Sequence, residues 1–108
     1  MLLVVNKYLF RKRFVGITLW PFVFMKYADL KRDPIFINHE RIHLRQQLEL
    51  LILPFFIWYG IEYGIRLLQY KDRYEAYRNI SFEREAYENE LFLEYLEKRR
   101  LWSFLRYL

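Results

Sequence analysis

Only three glycines and three prolines interrupt 108 residues. These two residues are the strongest local breakers of regular structure, so a chain this poor in them must fold into long elements rather than a turn-rich sandwich. The prolines also mark where elements begin and end. Asp33-Pro34 reads as a helix start, with Asp as the N-cap and Pro at the first helical position, where a missing N–H costs nothing. This helix is expected to run from Pro34 to about Leu53, where Pro54 stops or kinks it. Phe55 to about Tyr70 reads as a second helix, apolar nearly all round and therefore buried or lipid-facing. From Lys71 onward the chain turns charged but stays helical. Ser81 is expected to cap a helix with Glu83 and Glu85 in its first turn, where the positive end of the helix dipole suits acids. Leu91, Phe92, Tyr95 and Leu96 continue a helical stripe.

Residues 2 to 30 have a different texture. Val4-Val5 and Val15-Gly16-Ile17-Thr18-Leu19-Trp20 are the strongest strand signals, and Pro21 demotes the second stretch to an edge strand or splits it. The expected fold class is α+β: a small N-terminal strand region, with an edge strand over Ile17 to Phe24, followed by a predominantly helical body. A chain of this length is expected to form one domain over residues 1–108, burying about two-thirds of the unfolded surface. Glu75-Ala76-Tyr77-Arg78-Asn79 is echoed by Glu85-Ala86-Tyr87-Glu88-Asn89. A ten-residue period is too short for a solenoid unit.

Composition removes several function classes. With no cysteine, disulfides, thiolate metal sites and thiol catalysis are excluded, and any metal must be held by His, Asp or Glu. The net charge of +5 is spread along the chain, apart from small clusters at Arg11-Lys12-Arg13 and Lys98-Arg99-Arg100, which argues against nucleic acid as a partner. Met1-Leu2-Leu3-Val4-Val5 is apolar before any charge, the wrong order for a secretory signal. The longest uncharged run, Leu50 to Ile61, has twelve residues and contains Pro54 and Gly60. A spanning helix needs about 20 predominantly apolar residues, so this run reads as a core or interfacial segment. The expected location is the cytoplasm or a membrane, peripheral or embedded. The abundance of Tyr, Trp and Arg leaves contact with a membrane surface open. The ten Tyr, ten Phe and three Trp read mainly as core, because a small domain relies on aromatic burial.

The chemistry lies in His39-Glu40-Arg41-Ile42-His43. On a helix, residues four apart share a face, so both imidazoles can reach one metal ion with Glu40 beside them. Zinc held in this way keeps a coordination position for water, lowers its pKa towards about 7, and leaves Glu40 to take the proton. These are the only two histidines, and both fall inside the helix that Asp33-Pro34 announces. Glu75, Glu83, Glu85 and Glu88 are the downstream candidates for a third ligand. Gln46 and Gln47 read as polar filler that could line the pocket, and Arg41 and Arg45 as a solvated flank.

His39-Glu40-x-x-His43 followed by Phe82-Glu83-Arg84-Glu85-Ala86 resembles the gluzincin class of zinc metallopeptidases. The nearest pattern is the Glu-x-x-Ala-Asp of the CAAX-type and heat-shock membrane peptidases and the compact minigluzincins. The resemblance covers roughly residues 17 to 90. It implies zinc held by His39, His43 and Glu83, with Glu40 as the base. The same offset before Ala76 falls on Arg73, which cannot bind zinc, and Glu85 then reads as an ordinary first-turn acid. Where the family pattern has Asp, this chain has Tyr87, whose hydroxyl would either accept an imidazole N–H or act as an electrophile toward a bound carbonyl. The implied function is a zinc-dependent peptidase acting on a peptide or protein, with Ile17, Thr18, Leu19 and Trp20 pairing with an extended substrate. The alternatives are a non-catalytic relative that binds zinc, a partner or a membrane, and a basic membrane-surface protein with a chance motif. An oligomer or a bilayer could complete the cleft.

Overall fold

A computed structural model describes residues 1–10 and 14–108; the cluster Arg11-Lys12-Arg13 lies outside the described residues. Three short strands, β1 (Leu2–Val5), β2 (Gly16–Leu19) and β3 (Phe22–Met25), form a sheet in the order β1-β3-β2. β1 runs parallel to β3, and β2 antiparallel to it. Five helices follow: α1 (Pro34–Glu49), α2 (Leu53–Tyr70), α3 (Arg73–Arg78), α4 (Ser81–Asn89) and α5 (Tyr95–Lys98). Short 3-10 turns cover Lys7–Leu9, Ala28–Arg32 and Ser103–Tyr107. The architecture is α+β with a helical body.

The stretch Ile17 to Phe24 is a hairpin rather than one edge strand. Pro21 has no N–H for a ladder, so the chain reverses at Trp20-Pro21. Ile17 to Leu19 lie on the sheet edge, Trp20 sits in the turn, and Phe22 to Phe24 belong to the central strand. Thr18, Val23 and Met25 are buried on the face that meets α1.

Gly16 is required there by close approach. A Cβ at this position would fall on the Phe36 ring and 3.0 Å from Glu40 Oε1. Gly16→Ala should therefore lower the unfolding midpoint, at a cost on the order of 1 kcal/mol, where the same change at an open position would raise it. Thermal melting of the two proteins reads the sign directly.

Asp33 caps α1 as expected, accepting from the N–H groups of Ile35 at 3.0 Å and Phe36 at 3.2 Å. The far end differs from the expectation. Helix α1 stops at Glu49, because Leu51 and Ile52 take left-handed φ values of 60° and 64°. The Ile52 N–H donates to Gln47 O at 2.7 Å and the Leu51 N–H to Leu48 O at 3.2 Å, which is a Schellman closure with leucine where glycine is usual. Pro54 then opens α2 rather than closing α1, and the two helices meet at 112°. No single helix among the described residues is long and apolar enough to cross a membrane.

Helix α4 is set against α2 by an aromatic cluster. Phe55, Ile80, Phe82 and Phe104 are buried together, with the Phe82 ring 4.4 Å from Phe55 and 4.5 Å from Phe104. Ser81 is not the N-cap; Ile80 holds that place and Ser81 is the first helical residue. The cap is supplied from α2, where Glu62 accepts from the Ser81 N–H and, at 2.6 Å, from the Ser81 hydroxyl. A buried carboxylate is stabilised there by the dipole of α4. The stripe from Leu91 to Leu96 is also broken. Asn38 Nδ2 reaches the carbonyls of Asn89, Glu90 and Phe92 at 2.9 to 3.3 Å, which satisfies the end of α4 and turns the chain before α5.

Candidate metal centre

The inward face of α1 carries His39, Glu40, His43, Gln46 and Gln47, and all five are buried. This follows from i, i+4 and i, i+3 spacing on a helix whose start is fixed by Asp33. Helix α4 brings Glu83 to the same place. His43 Nε2 lies 3.2 Å from His39 Nε2 and 2.9 Å from Glu83 Oε1, and His39 Nε2 lies 3.4 Å from that oxygen. These three buried residues form the one group of metal-ligating type among the described residues, and together they could hold a metal ion.

The outer nitrogens are also engaged. His43 Nδ1 lies 2.8 Å from Gln46 Oε1, and His39 Nδ1 lies 3.4 Å from Glu90 Oε1. Tyr59 donates its hydroxyl to Glu83 Oε2 at 2.7 Å. Glu40 accepts from the Thr18 hydroxyl.

The charges are strongly coupled. Burial disfavours the imidazolium of His39, but the carboxylates of Glu83 and Glu90 outweigh it and its pKa rises to about 10. Burial likewise opposes charge on Glu83, yet His43 and His39 hold its pKa well below the carboxylate range. Burial pushes Glu40 above that range, against the opposing pull of His43, His39 and Thr18.

Tyr87 packs its ring on His39, with centroids 4.4 Å apart, but its hydroxyl pairs with that of Tyr77 at 2.8 Å. The acceptor at the outer nitrogen of His39 is Glu90, seven residues after Glu83 and so on the same face of the α4 end. Tyr77 lines a cavity of about 430 Å3 together with His39, Glu40, His43, Tyr59 and Glu83, and Tyr87 does not. Leu9, Phe14, Ile17 and Phe55 give this cavity an apolar wall.

Gln46, Gln47 and Glu85 hold more of the site than their sequence context suggests. Gln46 bridges His43 to α4, donating to Glu85 Oε1 at 2.9 Å and Phe82 O at 3.1 Å. Its spacing three residues after His43 was a usable signal. Gln46→Leu should keep the volume but leave the His43 ring without its acceptor, and metal affinity should fall by about 10- to 100-fold, as read by competition with a chromophoric chelator.

Glu85 is a fully buried pivot, not a solvated first-turn acid. Arg99 donates to it and to Glu49, and the Tyr95 hydroxyl donates to it at 2.6 Å. The guanidinium thereby clamps the end of α1 to α4, the two helices that carry the metal-ligating group. No local pattern announces a partner 50 residues from Glu49.

Gln47 alters the expectation for Ile17, Thr18, Leu19 and Trp20. The Lys26 N–H donates to Val15 O at 2.8 Å, so Val15 and Lys26 are a hydrogen-bonded pair. Antiparallel alternation then turns the backbone groups of Gly16, Thr18 and Trp20 outward. Gln47 already takes two of them: it donates to Thr18 O at 2.8 Å and accepts from the Trp20 N–H at 2.7 Å. The outward pair left at this edge is Gly16 C=O and Thr18 N–H, beside Glu40. No protein-family model, curated protein or solved structure matches this chain.

Proposed function

We propose that the protein is a zinc-dependent hydrolase, a peptidase in which a metal-activated water attacks a peptide carbonyl. The observation that carries this reading is the convergence of His39 Nε2, His43 Nε2 and Glu83 Oε1 within 2.9 to 3.4 Å of one another. Tetrahedral zinc with bonds of about 2.0 to 2.2 Å places its ligand atoms roughly 3.3 Å apart. Acceptors at both Nδ1 positions draw the imidazole protons outward and aim the Nε2 lone pairs at one point. With the ring protons on Nδ1, three lone pairs converge in one buried pocket, where a metal ion can take the place of the proton that otherwise bridges imidazole and Glu83. A nitrogen and carboxylate set without thiolate suits zinc.

Bound there, zinc would supply Lewis acidity and bring the pKa of a coordinated water towards about 7. The chain supplies the rest. Glu40 lines the same cavity without belonging to the metal-ligating group, which leaves its carboxylate to act as a general base. The Thr18 hydroxyl orients its carboxylate. Tyr59 holds Glu83 by the oxygen that faces away from the histidines. The apolar wall favours an uncharged side chain beside the scissile bond.

The test is a peptide library offered to protein reconstituted with zinc and to protein stripped by chelator, with and without detergent. Hydrolysis by the first that is lost in the second and restored by zinc is the expected result. Zinc bound without hydrolysis in either medium would replace this reading with a non-catalytic zinc protein.

A further inference from the structure

Helix α2 leaves a long apolar stripe uncovered. Leu53, Ile57, Ile61, Ile65 and Leu68 follow at intervals of four, four, four and three residues, so they share one face over a length of about 22 Å. Each is between 49% and 80% exposed, and Leu51, thrust outward by its left-handed φ, adjoins their start. A soluble surface scatters such residues singly; a contiguous stripe marks an interaction surface.

The charges around the stripe select its occupant. Between residues 50 and 71 the one acid is Glu62, which is buried and bonded to Ser81 and Trp58. The exposed face of α2 therefore carries no carboxylate. Lys71 closes the stripe at one end. At the other, the exposed side of α1 carries Arg41 and Arg45 two turns and one turn before Leu48, which leads to Leu51. None of these three cations is in an ion pair among the described residues. An apolar face flanked by cations on a chain of net charge +5 is complementary to negative headgroups over acyl chains. A second copy of the chain would instead bring the same cations together.

We propose that this face of α2 docks, in the plane of the interface, on an anionic lipid surface. The helix lies on the bilayer and does not cross it. This inference stands independently of the metal centre.

The experiment is sedimentation of the full chain with phosphatidylcholine vesicles, alone or containing about one-third phosphatidylglycerol. The protein should pellet with the anionic vesicles, less with neutral ones, and less as salt rises. Ile61→Glu puts a carboxylate on an exposed position and should reduce partition at least about tenfold with an unchanged melting curve. Gly64 separates lipid from a second copy. A Cβ at Gly60 or Gly64 meets nothing within 4 Å, so the fold accepts Gly64→Leu. On a lipid surface the added side chain should tighten partition several-fold, whereas a close helix–helix contact through the two glycines would be blocked. Protein that stays in the supernatant with anionic vesicles, or an Ile61→Glu variant that binds as well as the parent, overturns the proposal. A dimer in vesicle-free solution that dissociates on Gly64→Leu reassigns the stripe to a second copy.

Discussion

Glu40→Gln should keep its zinc and lose about 10²- to 10⁴-fold of the hydrolytic rate, the usual contribution of a positioned general base. The substitution preserves size and leaves an oxygen to accept from the Thr18 hydroxyl, so the local geometry around Gly16 and Thr18 survives. What disappears is the basic oxygen proposed to receive the proton of the attacking water. Because Glu40 stands outside the group formed by His39, His43 and Glu83, metal content should not follow activity downward. His39→Ala should behave differently, losing metal and activity together, since a donor atom is gone. Measuring metal content beside hydrolysis separates the two roles. An unchanged rate in Glu40→Gln would assign water activation to another group.

Glu85→Ala should destabilise the fold by about 3 to 5 kcal/mol, because it strips a buried ion-pair network of one partner. The Arg99 guanidinium and the Glu85 carboxylate have no solvent exposure, and Glu85 also accepts from Tyr95 and Gln46. Removing it leaves Arg99 with Glu49 alone and one N–H of the Gln46 amide without an acceptor in the interior. The same change at Glu75, on the exposed side of α3, should have little effect. Denaturant unfolding of the two variants makes the comparison, and a loss below about 1 kcal/mol for Glu85→Ala would show that the clamp between α1 and α4 is not structural.

What could be read from the sequence was local. The start of α1 depends on Asp33 and Pro34, adjacent residues whose preferences act through the backbone, and it was legible. So was the shared face of His39 and His43, which is a matter of helical spacing. The place of Glu83 followed from a motif, and the fold brings it beside both imidazoles.

One misread feature is a local backbone closure, and the others depend on contacts between distant segments. Helix α1 ends early through a Schellman closure at Leu51, where no glycine advertises it. The N-terminus of α4 is capped by Glu62, nineteen residues earlier, so Ser81 looked like its own cap. Asn38 ends α4 from across the core. Gln47 occupies backbone groups of the edge strand that an extended peptide was expected to use. Glu85 looks like polar surface until Arg99 is brought back onto it, and Gln46 until α4 is. Each of these side chains satisfies a buried group on another element, and apart from the i, i+3 spacing of His43 and Gln46 no short-range pattern encodes that.

The central claim is that His39, His43 and Glu83 hold one zinc ion. The most direct test is the metal content of the full chain after zinc reconstitution at neutral pH and desalting, measured by native mass spectrometry. The account predicts about one zinc per chain, and a chain that emerges with no bound divalent metal would contradict it.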